Sequence, residues 1–591
     1  MNNKAGTSSI HSQKKLFMTS DTGIQPQSRS LPAILIMAAA IGVIAGIGAW
    51  GFRMLIGLVH NTLFLGSLSA DYDANIHTVV GPWGMGVILI PVIGALVVAW
   101  LVKNFAPEAK GHGVPEVMDA IYYNKGHIRP RVAIVKSLAS AISIGSGGSV
   151  GREGPIVQIG SAFGSTLGAI FPMPVRDRVA LIAAGAGAGI AATFNAPLGG
   201  ILFAMELLLV SVNARNLLVV SIAVVVATHI SHLLLGTQPS FYVAQLEIPV
   251  YPMFSPVLLF SFLMLGCVMG LVSVVFIRGL YKLEDLFDAM PGNYYSRHAL
   301  GMLCVGIIMY LLMQHAGHYY VEGVGYATIM DILGGAVMSP WFLLMLATLK
   351  LLATCLSLGS GASGGVFSPA LFMGATVGAA AGYLCQWLVP EADIAVTTFA
   401  IAGMAAAIAG TTGAVLTGII MLAEMTRDYP SMLPMIITCT AAYGLRKAIM
   451  DESIYTMKLL ARHHTVPEGL HAAILTTERI VDLMDTDFEI VSPGKDIKTD
   501  AAVVLQDSKG QIVSVSTSSS ANVEDSSVVD LSFIVLPAKT TPLAALTSLC
   551  ETGADVILVT KEAGTDRAAD VVGLLTPAIL ARLLRADDTL S

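Results

Sequence analysis

Residues 145–155 read GSGGSVGREGP, a glycine-rich loop that carries one carboxylate, Glu153, among long apolar segments. An ionisable side chain at membrane depth is costly, and it is usually functional. Positions of this loop and of the segment after it recur at a constant offset, as Gly145/Gly359, Ser146/Ser360, Gly147/Gly361, Ser149/Ser363, Gly151/Gly365, Pro155/Pro369, Gly160/Gly374 and Gly164/Gly378. The chain therefore contains an internal repeat, with one copy in each half.

A second repeat follows at nearly the same offset. Its pairs include Ala184/Ala402, Gly185/Gly403, Thr193/Thr411, Leu198/Leu416, Gly200/Gly418 and Glu206/Glu424. Glycine-broken apolar segments at matching positions of two halves are typical of transporters whose binding site lies between the repeats. Sequence alone leaves open whether the repeats are inverted.

The composition predicts a polytopic α-helical membrane protein, because only 12% of the 591 residues are charged and the mean hydropathy is +0.73. Several apolar runs are shorter than the roughly 20 residues that a full span needs, which indicates half-helices or strongly tilted spans. The runs are 31–59, 82–102, 132–144, 156–171, 179–209, 217–236, 256–279, 299–313, 341–358, 370–389, 399–425 and 432–445.

Charge and spacing exclude several partner classes. The net charge of −7 comes without a basic stripe, so nucleic acid is not expected, and the lipid bilayer is the expected surroundings. Six cysteines without CxxC spacing argue against a disulfide framework and a zinc site. The pairs His229/His232 and His315/His318 have helical spacing for a metal, but no third ligand is evident. We expect no metal and no cofactor.

The chain divides into a polar N-terminal segment (1–30), a membrane domain (31–465) and a soluble α/β domain (466–591). The first segment lacks the order of a cleaved signal peptide, and its basic residues Lys4, Lys14, Lys15 and Arg29 precede the first apolar run. Arg446, Lys447, Lys458, Arg462 and His463 follow the last run. By the positive-inside tendency, both termini are expected in the cytoplasm, with the protein in the cell (inner) membrane.

In the last domain, alternating apolar residues predict strands at 502–505, 511–516, 532–536 and 555–559. Asp507–Gly510 predicts a hairpin turn between the first two. Thr541–Thr552 predicts a helix, and Ser514–Ser527 a mobile loop.

Three loops combine glycine with proline and precede an apolar run: 111–115 (GHGVP), 151–155 (GREGP) and 364–369 (GGVFSP). Irregular backbone at membrane depth is tolerated where it lines a cavity, and the helix N-termini that follow would bind anions. The rival interpretation is that these glycines are kinks that let helices pack closely. Residues 359–364 also match G-x-G-x-x-G, but no acidic residue follows at the distance that a nucleotide fold needs.

These loops and Tyr455, in this order, resemble the signature of the CLC family of chloride channels and proton-coupled chloride exchangers, over residues 30–465. The resemblance implies a homodimer with one pore per subunit and about eighteen helices in two inverted halves. It also implies that the N–H groups of Val366 and Phe367 hold anions and that Tyr455 reaches the central site. The further anion-binding candidates are His112, Gly113, Arg152, Glu153 and Gly154.

Glu153 resembles the gating glutamate of that family. Its carboxylate and chloride carry the same charge and accept from the same N–H groups, so they compete, and proton uptake becomes coupled to anion entry. An ion pair with Arg152 is less expected, since adjacent helical residues do not face each other.

Two departures from the family pattern affect mechanism. His112 replaces a serine whose hydroxyl helps to hold the central anion, so the ring either contacts the anion or turns away and leaves the backbone to do so. Leu207 replaces a glutamate on the internal proton route, which favours passive channel conduction slightly over exchange. Glu206, Glu424 and His112 are possible substitutes on a proton route with Glu153, although matched carboxylates at 206 and 424 also fit helix caps.

The tail resembles a reduced pair of CBS motifs, at 481–493 with 503–517 and at 535–584. Ile579 stands where an aspartate that holds ribose is expected, so a dimerising or coupling role is favoured over nucleotide sensing.

The sequence thus predicts a chloride transport protein, not an enzyme, with channel-like conduction preferred and proton-coupled exchange as the alternative. A fluoride-exporting variant and a receptor that passes no anions are more distant alternatives.

Overall fold

The structure is a computed structural model that describes residues 29–209, 213–243, 256–390, 394–462, 464, 466, 479–486, 488–491, 502–507, 510–518, 528–540, 542–561, 567–576 and 579. The prediction for the basic residues Lys4, Lys14 and Lys15 lies outside these ranges, as does that for His463.

Seventeen α-helices lie within the described residues before Ala461. They are α1 (Leu31–His60), α2 (Ile90–Phe105), α3 (Val114–Tyr122), α4 (Pro130–Gly145), α5 (Glu153–Ile170), α6 (Val175–Phe194), α7 (Pro197–Phe203), α8 (Ala214–Leu235), α9 (Pro256–Ala289), α10 (Tyr294–Ala316), α11 (Tyr326–Leu333), α12 (Pro340–Ser360), α13 (Phe367–Leu388), α14 (Val396–Thr412), α15 (Val415–Thr426), α16 (Met432–Ile449) and α17 (Thr456–Leu460). Among the described residues, eight helices are long and apolar enough to cross a membrane. The predicted polytopic helical fold is confirmed.

Two long apolar runs each form two helices. The run 179–209 breaks between α6 and α7, where Asn195 adopts φ 54°, and the run 399–425 breaks between α14 and α15, where Gly413 adopts φ 81°. A left-handed residue ends a helix, and hydrophobicity does not reveal it inside an apolar run. Because both breaks fall at the same place in the repeat, the halves also share their short helices.

Repeated glycines bring repeated helices into contact. A Cβ on Gly160 of α5 would lie 2.1 Å from the carbonyl oxygen of Gly185 in α6, and one on Gly374 of α13 would lie 2.4 Å from that of Gly403 in α14. These glycines, which lie outside the three loops, therefore serve close helix packing.

The two halves cap each other's helices. Glu206 accepts from the N–H groups of Leu416 (3.1 Å) and Thr417 (2.8 Å) at the start of α15. Glu424 accepts from those of Leu198 (3.1 Å) and Gly199 (2.8 Å) at the start of α7. A carboxylate at a helix N-terminus is stabilising. The exchange is reciprocal, as expected where two repeated halves meet about an approximate two-fold axis.

The described residues of the tail form two small sheets. The strands are β1 (Phe488–Val491), β2 (Ala502–Gln506), β3 (Ile512–Ser518), β4 (Val528–Leu531), β5 (Phe533–Pro537), β6 (Val556–Thr560) and β7 (Val571–Leu575), with α18 (Pro542–Thr552) between β5 and β6. One sheet has the order β1-β2-β3-β4, with β1 parallel to β2; the other has β5-β6-β7, with β5 parallel to β6.

The predicted turn at Asp507–Gly510 is confirmed, because β2 and β3 are antiparallel and the N–H of Gly510 donates to the Asp507 carbonyl (3.0 Å). The predicted helix is confirmed as α18. The predicted loop at 514–527 is wrong over 514–518, which complete β3 because their polar side chains still allow ladder hydrogen bonds to β4. Residues 519–527 lie outside the described ranges.

Candidate functional site

The three glycine-proline loops meet. The N–H of Gly111 donates to the carbonyl of Ala362 (3.1 Å), and the N–H of Gly364 donates back to that of Gly111 (3.3 Å). Gly151 and Gly365 exchange two hydrogen bonds of 2.7 and 2.6 Å. The third loop therefore lies between the other two, and α3, α5 and α13 begin beside this junction, as the sequence predicts.

Glycine is required by this contact. A Cβ on Gly154 would lie 2.0 Å from the carbonyl oxygen of His112, and one on Gly113 would lie 2.8 Å from that of Gly154. Because glycine has no side chain, the loops pack closely and their backbone groups approach the junction.

A loop that sequence reasoning missed completes the arrangement. Gly323-Val324-Gly325, before α11, is the repeat partner of 111–113: Gly113 and Gly325 adopt φ 83° and 80°, and Met-Asp follows both at the same distance, at 118–119 and 330–331. This repeated Met-Asp pair was the signal available in the sequence.

Two fully buried lysines hold the paired loops. The two lysines occupy matching positions of the repeat. In the described part of the chain, their ammonium groups donate hydrogen bonds only to backbone carbonyls at these loops. The bonds run from Lys136 to Ala109 (3.0 Å) and Gly111 (2.7 Å), and from Lys350 to Val321 (3.0 Å) and Gly323 (2.8 Å). Because the carbonyls are satisfied in this way, each loop keeps a fixed position before its helix.

Glu153 is buried, with 2% of its surface exposed, and both carboxylate oxygens are hydrogen-bonded. Its Oε2 accepts from the backbone N–H of Ser368 (3.3 Å). Its Oε1 accepts from the hydroxyl of Tyr326 (2.7 Å) and from that of Ser368. Tyr326 and Ser368 are site residues that the sequence did not single out.

The carboxylate of Glu153 thus lies at the first turn of α13. Val366 is the N-cap residue of that helix and Phe367 its first residue. Their N–H groups have no hydrogen-bond acceptor in the described part of the chain. The first N–H groups of a helix lack intrahelical partners and form its positive end, so this turn offers donors to an anionic group.

Arg152 does not pair with Glu153 in the described structure. Its guanidinium instead lies over two rings, 5.2 Å from the centre of Tyr326 and 5.8 Å from that of Phe194, and its Nε is buried without a hydrogen-bond partner. The residue therefore adds positive charge beside Tyr326, a partner of Glu153, without neutralising the carboxylate directly.

His112, in the first of these loops, lies next to Tyr455. Both are buried, and their ring centres are 5.9 Å apart. The Nε2 of His112 is 3.2 Å from the hydroxyl of Tyr281 in α9, whereas its Nδ1 has no hydrogen-bond partner. The ring thus packs beside the tyrosine that the family resemblance assigns to the central anion.

The remaining candidates lie elsewhere. Glu206 and Glu424 are occupied as helix caps, and Leu207 is buried next to Glu206. His232 bonds Asn195, and His318 stacks on His77 with ring centres 4.1 Å apart. The described residues contain no group of three potential ligands that could hold a metal.

A small, partly open cavity lies beside Tyr326. It has a volume of about 30 Å³, and its lining includes Tyr72, His77, Glu322 and Tyr326. Tyr326 both lines this cavity and hydrogen-bonds Glu153, so one side chain contacts the cavity and the buried carboxylate.

Comparisons with known proteins match this architecture. The chain is 35% identical to the H(+)/Cl(-) exchange transporter ClcA of Vibrio parahaemolyticus, over 72% of this chain and 89% of that protein. It is 33% identical to the protein of the same name from Yersinia pestis, over 76% and 91%. Among solved structures, a slow cyanobacterial Cl−/H+ antiporter superposes with a TM-score of 0.63 at 26% identity, covering 74% of this chain and 99% of that one.

A family model described as voltage gated chloride channel matches residues 94–447, which span the four loops and the reciprocal caps. With ordered loops, duplicated halves and these relatives in agreement, the chain is a multi-pass integral membrane protein that belongs to the CLC family of chloride channels and transporters.

Proposed function

We propose that this protein exchanges chloride for protons across a membrane, with Glu153 as the group that couples the two ions. The sequence favoured passive conduction slightly, on the ground of Leu207. The relatives named as exchange transporters support the alternative instead, and a leucine at this position weighs less than those relatives, since it removes only one candidate proton carrier.

The observation that carries the proposal is the position of the Glu153 carboxylate at the start of α13. Ionised, it accepts from the Ser368 N–H and lies where the helix N-terminus attracts negative charge. Chloride needs the same donors, so it enters when the carboxylate leaves. Protonation removes the negative charge and with it the attraction of the helix start. Proton binding from one side therefore promotes anion binding at the same place.

The anion contacts follow from the same geometry. We infer that the N–H groups of Val366 and Phe367 donate to the bound chloride, that Tyr455 lines the central position, and that Gly113 and Gly154 give the ion access to backbone. Arg152 contributes positive charge on the side of Tyr326. Glu206 and Glu424 act as structural caps, away from the proton route.

We further infer a homodimer with one pore per subunit, in the inner membrane with both termini in the cytoplasm. The tail, residues 466–591, would then have a dimerising or coupling role. Parallel β5 and β6 joined by α18, with antiparallel β7, are compatible with its resemblance to a CBS motif.

Glu153→Gln tests the proposal, because the amide keeps the size of the protonated carboxylate and cannot release a proton. In vesicles that contain the purified protein, the response of chloride flux to external pH should weaken, and a chloride gradient should no longer drive protons uphill. Asp73→Asn, at an exposed carboxylate next to Tyr72, is the matched control and should keep both responses. An unchanged pH response in Glu153→Gln would show that another group is the gate. Absence of any anion flux with the parent protein would favour the receptor alternative.

A further inference from the structure

The unpaired ring nitrogen of His112 is the starting point. The side chain is buried, with 3% of its surface exposed, yet Nδ1 has no hydrogen-bond partner. Buried polar atoms are almost always satisfied, so an exception requires an explanation.

The neighbouring tyrosine fixes the state of the ring. The hydroxyl of Tyr281 donates its single hydrogen to the carbonyl oxygen of Ile454 (2.6 Å). Its oxygen can then only accept, and the 3.2 Å contact with His112 therefore requires a hydrogen on Nε2. In the neutral imidazole, Nδ1 is left as a bare acceptor, which repels an anion instead of binding it.

Charges around the ring come from several elements. Lys136 of α4 donates to the carbonyl of Gly111, the residue before His112, and Lys458 of α17 lies at the same loop. Arg462 pairs with Glu116 of α3 at 2.5 Å, and Lys458 lies 4.0 Å from that carboxylate. Glu284 of α9 faces Lys458, and the hydroxyl-bearing rings of Tyr281 and Tyr455 complete the surroundings.

Positive charges therefore outnumber negative ones close to the ring. Burial of the ring disfavours a further proton on Nδ1, and the two lysines and Arg462 repel it, whereas an anion at the adjacent Tyr455 attracts it. Once protonated, Nδ1 becomes a donor, and the repulsion towards the anion turns into a hydrogen bond.

We propose that His112 is a second proton-binding site, at which a proton on Nδ1 and an anion beside Tyr455 bind together. This inference deepens the proposed exchange function and rests on it. No bond other than Nδ1–H forms: the lone pair of Nδ1 takes the proton when the anion arrives, and it releases the proton when the anion leaves. In this proposal the protein has two titrating positions along its anion path, Glu153 and His112.

The test uses the Glu153→Gln protein, in which residue 153 cannot titrate, so that proton binding at His112 is measured separately. Chloride affinity of the purified protein is measured by calorimetry from pH 5 to pH 8, in two buffers of different ionisation enthalpy that report proton uptake. We expect chloride binding to strengthen as pH falls, by up to about tenfold per pH unit where one proton binds with each anion. Proton uptake should accompany the binding.

Adding His112→Gln should remove both the pH dependence and the proton uptake, because the amide retains a donor for Tyr281 and cannot titrate. His112→Ser should do the same. The matched control is His127→Gln, an exposed histidine, which should change neither. Two results would overturn the proposal. The first is a chloride affinity of Glu153→Gln, with His112 intact, that does not depend on pH. The second is a pH dependence of chloride affinity that survives in the double variants.

Failure here and failure of the exchange function give different results. If the parent protein moves chloride without protons but Glu153→Gln still binds a proton with chloride, the exchange proposal fails and the site at His112 stands. If the parent exchanges the two ions but Glu153→Gln shows no proton uptake, exchange stands and the site at His112 is refuted.

Discussion

Glu153 is held by a helix N–H and two hydroxyl groups, and in the proposed exchange cycle these three donors determine how readily the carboxylate leaves its position. Hydrogen bonds to an ionised group contribute more than those between neutral groups. The hydroxyl of Tyr326 is the donor best suited to adjust the proposed gate, because the same side chain bonds Glu153 and lines the cavity.

We predict that Tyr326→Phe weakens the hold on the carboxylate and lets chloride compete better. The loss of one hydrogen bond to a charged group, about 1.5–3 kcal/mol, corresponds to a rise of about tenfold or more in apparent chloride affinity. Calorimetric chloride titration of the purified variant measures this. Tyr72→Phe, in the lining of the same cavity but without a bond to Glu153, is the control. Equal affinities in parent and Tyr326→Phe would mean that the hydroxyl does not stabilise the gate.

At the scale of elements, the site is built from helix starts. The glycine-proline loops precede α3, α5 and α13, and a further loop precedes α11. Glu206 and Glu424 stabilise two more helix starts, those of α15 and α7, across the boundary between the halves.

The capping role of Glu206 makes a prediction that separates structure from proton transport. Three donors of Leu416 and Thr417 hydrogen-bond the Glu206 carboxylate, and Glu206→Gln removes its charge. We therefore expect the free energy of unfolding to fall by about 1–2 kcal/mol. Glu424→Gln, with two donors, should lose less. Thermal unfolding in detergent measures the stability of each variant. In vesicles, the ratio of transported protons to chloride should stay that of the parent. A changed ratio with unchanged stability would assign the carboxylate to the proton route.

Much of this arrangement follows from local sequence. The repeated GSG and GREGP positions predicted the duplication, and glycine next to proline predicted where three helices begin, because both residues act through their own backbone. The split of 179–209 was missed, since a left-handed Asn195 leaves no mark in hydrophobicity. Tyr326 was missed because its contact with Glu153 joins distant segments. Only the weaker Met-Asp repeat at 118–119 and 330–331 pointed to its loop.

At the scale of the whole molecule, the membrane domain contains every candidate for ion binding. The described part of the tail contains two small sheets, with one buried cluster shared by both sheets and another between the second sheet and α18. Ile579, whose N–H donates to the Thr576 carbonyl (3.1 Å), packs its apolar side chain against the second of these clusters. Such a side chain offers a ribose hydroxyl no acceptor, so we propose that the tail acts without a nucleotide.

We predict that the full chain does not bind ATP in the micromolar range, and that a chain ending at residue 466 still exchanges chloride. Calorimetry with ATP tests the first statement, and flux in vesicles tests the second, with chloride binding as the control for folding. Micromolar ATP binding would contradict the first. A shortened chain that binds chloride but does not transport it would contradict the second.

The reversal potential of the current under crossed chloride and pH gradients tests the central claim most directly. With the parent protein in planar bilayers, a pH gradient at equal chloride should displace the reversal potential from zero, and Glu153→Gln should return it to the chloride equilibrium potential. A parent reversal potential that follows chloride alone, at every pH gradient, would contradict proton-coupled exchange and identify passive conduction.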